Sequence, residues 1–136
     1  MRKVTKYLVF LPILLLGCYA TGSVEKKQQL LQETASTYYN LFMWKSYEKA
    51  SQFVDNEKKD KFDSFLLNSK DDLNITNYDI REVVFNSAEN KGMVKVIISY
   101  YKYPSVSEKT MLLQDPWILR GKMWYIYSDF DEEIFK

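Results

Sequence analysis

Histidine is absent from this 136-residue sequence, and cysteine occurs once, at position 18. The first absence removes the side chain that most often serves as a general base near neutral pH and as a metal ligand. The second excludes an intrachain disulfide. Glycine (4 residues) and proline (3 residues) are also scarce, so the chain carries no Gly-rich phosphate loop and no Pro-rich linker. Without histidine a hydrolytic triad would need unusual substitutes, and no Cys/His cluster has metal spacing. These gaps argue against an enzyme and lead us to expect no metal and no cofactor.

An excess of positive charge is missing too. Of the 19 basic residues, Arg2, Lys3 and Lys6 stand at the extreme N-terminus, and the rest face 18 acidic ones. Such a balance leaves no phosphate-reading surface, so nucleic acid is not an expected partner. Apolar and aromatic residues, by contrast, are plentiful at 46% and 16%. That supply suffices for the core of one small globular domain.

The N-terminus has three parts: the basic segment, an apolar run from Tyr7 to Leu16, and Gly17-Cys18. Positive charge followed by a short apolar helix is the physical pattern of a secretory signal. A spanning helix needs about 20 apolar residues. The run has about half that, with Pro12 weakening its middle. Leu15-Leu16-Gly17-Cys18 resembles the lipobox of bacterial lipoproteins. That resemblance implies cleavage between Gly17 and Cys18 and a diacylglyceryl group on the Cys18 sulfur. The partner is then the membrane itself, through acyl chains on Cys18. Each buried methylene adds roughly 0.8 kcal/mol, so two or more chains hold firmly. Tyr19 stands where an Asp would resemble an inner-membrane retention signal. A source with two membranes would therefore carry the protein on the outer one, facing the periplasm.

The expected division is a signal peptide over 1–17, a lipidated cysteine and short tether over 18–23, and one domain over 24–136. From about Val24 to Trp44, Leu31, Ala35, Tyr38 and Phe42 recur at helical spacing. Ser46 can cap a second, short helix bearing Ala50, Phe53 and Val54. Asp55 stands at the N-cap of a third, which carries Phe62, Phe65 and Leu66. The period then falls toward two. Strands are expected over Ile80–Phe85, Met93–Tyr103, Val106–Leu119 with a bulge near Asp115-Pro116, and Lys122–Ser128. Arg120-Gly121 fits a two-residue turn, and the acidic tail Asp129–Glu133 is expected to fray. The fold class is α+β, with three N-terminal helices packed on a curved four-stranded antiparallel sheet.

Tyr38-Tyr39, Tyr47-Glu48-Lys49-Ala50, Phe53-Val54 and the hairpin Pro116 to Ile126 give this order a resemblance to the nuclear transport factor 2-like superfamily. The resemblance implies a cone of helices against a bent sheet. Enzymes of that superfamily place a carboxylate, often with Tyr, inside the cone, and Asp79, Glu82 and Tyr100 are the candidates here. The aromatics Tyr39, Tyr100, Tyr101, Trp117 and Trp124 mark a possible groove or cavity. Three functions compete: a non-enzymatic binding or accessory module that meets an envelope protein, a carrier of a small apolar ligand, and an acid–base lyase- or isomerase-like enzyme. A filled cone favours the first, an empty apolar cavity the second, and two polar groups converging in that cavity the third.

Overall fold

A computed structural model describes residues 18–136; the expected leader, including Gly17, lies outside the described residues. Helix α1 (Cys18–Met43) comes first, then α2 (Tyr47–Ser51) and α3 (Lys59–Ser69). Four strands follow: β1 (Leu73–Asn86), β2 (Lys91–Lys102), β3 (Lys109–Arg120) and β4 (Met123–Ile126). The strands form an antiparallel meander in the order β1-β2-β3-β4. The architecture is α+β, a curled four-stranded sheet with helices on its inner face.

The stripe Leu31, Ala35, Tyr38 and Phe42 is buried, as helical spacing requires. The helix begins at Cys18 instead of Val24, so residues 18–23 are helical backbone where a tether was expected. Positions 23–30 are all exposed, and Leu31 is the first buried residue of α1 among the side chains described. At 1.5 Å per residue the stretch from Cys18 to Leu31 rises about 20 Å. Asp55 caps a 3-10 turn (Asn56–Lys58), its carboxylate accepting the Glu57 N–H at 3.1 Å, and α3 runs on from there with Phe62 and Phe65 buried. Ser46 sits at the N-cap of α2 but makes no side-chain capping bond.

On the sheet, Val94, Val96, Ile98 and Tyr100 of β2 face the helices together with Trp117 and Leu119 of β3 and Trp124 and Ile126 of β4. The expected bulge at Asp115-Pro116 does not occur, because Val94 pairs with Asp115 and Met93 with Pro116 without a shift. Irregularities fall instead in β1, between Ile75 and Asn77 and between Ile80 and Glu82. Pro116 marks the end of the next ladder. Its carbonyl accepts the Tyr127 N–H at 2.8 Å, but it has no N–H to return, and β4 stops at Ile126. The β3–β4 turn is Gly121-Lys122, one residue later than expected, with Gly121 at φ +62°.

Gly92 lies at the start of β2, beside the turn that joins it to β1. There α1 crosses the sheet closely. A Cβ on Gly92 would sit 2.4 Å from Leu31 Cδ2 and 3.3 Å from the Val84 carbonyl oxygen. Gly92→Ala is expected to cost about 1–3 kcal/mol, the usual range for overpacking, because Leu31 is fully buried and has no free side to move into. A urea midpoint equal to that of the parent would show that α1 shifts without cost.

The acidic tail does not fray. Asp129 pairs with Lys58 (2.6 Å) and Lys61 (3.1 Å). Asp131 caps a 3-10 turn (Glu132–Ile134), and Phe135 packs edge-on against Tyr100 with ring centres 5.1 Å apart. Two apolar rings, Phe130 and Phe135, flank the acids and pull the segment onto α3 and the sheet. Among the described residues no helix is long and apolar enough to cross a membrane.

Candidate functional site

Period two along β3 points Met111, Leu113, Asp115, Trp117 and Leu119 to the inner face, and so carries a carboxylate into the core. Asp115 is 8% exposed. From α1, one residue off the main stripe, Tyr39 reaches across and donates its phenol O–H to Asp115 Oδ2 at 2.5 Å. Among the described residues no other hydrogen bond reaches that carboxyl. Tyr38 and Tyr39 stand edge to face at 5.2 Å, and Trp117 closes on Tyr38 at 5.7 Å. The Trp117 indole N–H has no hydrogen-bond partner among the described residues.

Beside Asp115 lies a mostly apolar chamber of about 40 Å³, walled by Tyr38, Tyr39, Phe42, Ile98 and Leu113 and roofed by Phe130, Asp131, Ile134 and Phe135 of the C-terminal segment. Such a volume holds one or two water molecules and no organic substrate. Burial pushes the Asp115 carboxyl up to about 6, with the Tyr39 hydrogen bond opposing it. Burial, then the Asp115 charge and hydrogen bond, raise the Tyr39 phenol well above its ordinary value. The arrangement is thus a buried hydrogen-bond acceptor beside a water-sized apolar space, ionised above about pH 6 and neutral below it.

The carboxylates that the sequence puts forward for the interior are Asp79 and Glu82. Both lie on the outer face, Asp79 paired with Arg81 (3.0 Å) and Glu82 with Lys95 (2.9 Å). Tyr100 is buried on the inner face, but its hydroxyl donates to the Lys136 carbonyl. Of the aromatic set, Tyr39, Tyr100, Trp117 and Trp124 are buried inside, whereas Tyr101 lies on the outer face against Tyr103 at 5.4 Å. They form no common groove. Only Tyr39 touches the chamber. Trp124 instead donates its indole N–H to the Lys27 carbonyl at 3.0 Å and fixes α1 to the last strand.

The second buried carboxylate, Asp55, is structural. Arg120 Nε donates to its Oδ2 at 2.5 Å, and that bond holds the Asp55 carboxyl below the usual range. Of Cys18 the structure describes the backbone, as the first residue of α1. Among the described residues no three of His, Cys, Asp and Glu gather as a metal site would need.

No family model matches the chain, and no curated protein matches it. Among solved structures it is similar to a SEC-C motif containing protein from Rhodopseudomonas palustris, determined in solution. The two superpose with a TM-score of 0.53 at 12% identity, over 66% of this chain and 69% of that one. At that identity the likeness is one of fold alone.

Proposed function

We propose that this chain is a lipid-anchored protein of the bacterial cell envelope, its leader removed before Cys18, whose nuclear transport factor 2-like domain is a non-enzymatic binding or accessory module. Leu15-Leu16-Gly17-Cys18, set between an apolar run and the first turn of α1, carries the anchor. The size of the interior chamber carries the module: about 40 Å³ leaves no space for a substrate, and partner chemistry falls to the surface. Among the described residues no helix covers the outer face of the sheet, where Val84, Leu112 and Met123 are about half exposed. Asp115 and Tyr39 alone would suit acid–base work, but they face water-sized space.

One observation favours the carrier as a second reading. The chamber is mostly apolar, and its roof is a terminal segment that no backbone hydrogen bond joins to the helices or strands among the described residues. Displacing that roof would enlarge the space beside Asp115.

The anchor is tested by growing cells on labelled palmitate. The parent chain is expected to take up label and to begin at Cys18, while Cys18→Ala takes up none and stays in the leader-bearing form. Equal label in both chains, or a mature mass with a free thiol, would overturn the proposal.

A further inference from the structure

Near the anchored end lies a groove of about 240 Å³ that the interior chamber does not explain. Leu30 of α1 and Leu119 of β3 floor it, and Lys26, Lys27 and Lys122 rim it. None of these three lysines forms an ion pair with a described residue, whereas Lys58, Lys61, Lys95 and Lys136 do. Glu25 lies on the same turn of α1 but does not line the groove. The Trp124–Lys27 hydrogen bond locks α1 onto β4, so the lysines stand on a fixed frame. Met123, next to Lys122, is 53% exposed. Lys26 is eight residues from Cys18 along one helix, about 12 Å of rise.

An apolar floor under a cationic rim complements one chemistry: a negatively charged headgroup on an apolar chain. We propose that this groove docks an anionic phospholipid of the bilayer that holds the chain, so that the domain rests with its β3–β4 turn on the membrane surface. The orientation relies on the proposed anchor at Cys18; the groove's affinity for lipid does not.

The test uses residues 18–136 with Cys18→Ala, which keeps every buried core residue, since these run from Leu31 to Phe135. Sedimentation is measured with vesicles of phosphatidylcholine alone and of phosphatidylcholine with phosphatidylglycerol. Binding is expected only to the anionic vesicles. It should vanish at about 1 M salt, where the Debye length falls to about 3 Å. Each lysine near such a surface is worth about fivefold in affinity. Joint replacement of Lys26, Lys27 and Lys122 by Gln should therefore weaken binding on the order of 100-fold. Gln at Lys49, Lys59 and Lys70, with the same change in net charge, should leave it within about threefold. Equal binding to both vesicles, no binding to either, or equal losses in the two triple variants would overturn the proposal. Because the chain tested has no acyl group, a failed palmitate experiment leaves this result standing, and the reverse holds as well.

Discussion

Asp115→Asn is expected to gain stability relative to the parent chain as pH rises from about 4 to about 7, by about 2.4 kcal/mol of a full difference of about 3 kcal/mol. The carboxyl sits at about 6 in the fold against 3.8 in a free chain, and each unit of difference is worth about 1.4 kcal/mol. Because the folded value is the higher one, the fold favours the protonated group. That favour is complete below the unfolded value, falls away as pH climbs, and is gone above about 6. The asparagine does not ionise, and its side-chain carbonyl can still accept the Tyr39 hydrogen bond, so its stability lacks this slope. Asp55 and Asp129 have lowered values and lose stability on acidification, but they do so in both chains and cancel in the comparison. Urea titrations of the two proteins across this range measure the difference. A gap that does not change with pH would mean that Asp115 is solvated or paired in a way the Tyr39 contact does not capture. A carboxylate that costs stability at neutral pH and is tied by one hydrogen bond contributes little to holding the fold. Its place beside the chamber makes it the strongest interior candidate for a role in binding.

The same residue marks where the sequence stops being legible. Apolar side chains at every core position of α1 and on the inner face of β2 make those elements readable from period alone. Trp117 and Trp124 likewise declare the hairpin. Asp115 breaks the pattern: a charged residue before proline has the signature of a bend, and it drew the expectation of a bulge. Its parity was still available, because Asp115 stands two residues before Trp117 and two after Leu113 on the same face. The Asp79 and Glu82 candidates had the right residue type on the wrong face of the sheet. The helix is legible only from about Val24, since positions 23–30 bury nothing and offer no apolar stripe that would trace it back to Cys18. The lysine groove is not legible either, since its rim comes from α1 and from a turn about a hundred residues later in the chain.

Phe135→Ala should cost about 3 kcal/mol, at the lower end of the 3–5 kcal/mol expected for removing a buried phenylalanine. Acid-rich composition suggested a loose tail, and a loose tail would tolerate this change within about 0.5 kcal/mol, as exposed sites do. The ring is instead 7% exposed, between Tyr100 and Phe65. The cost stays near the lower bound because the segment has another way to relax. Past Tyr127 no backbone hydrogen bond ties it to the helices or strands among the described residues. Ring packing and side-chain bonds hold it: Lys58 and Lys61 on Asp129, Asn68 on Glu132, and Tyr100 and Lys109 on the Lys136 carbonyl. Losing one ring should therefore release the roof of the chamber before it loosens the sheet. The expected signature is protease cleavage after Asp129 and fast amide exchange over the last eight residues, with β2 and β3 still protected. Loss of protection throughout the sheet would instead make Phe135 part of the common core, and the chamber would then have no separable cover.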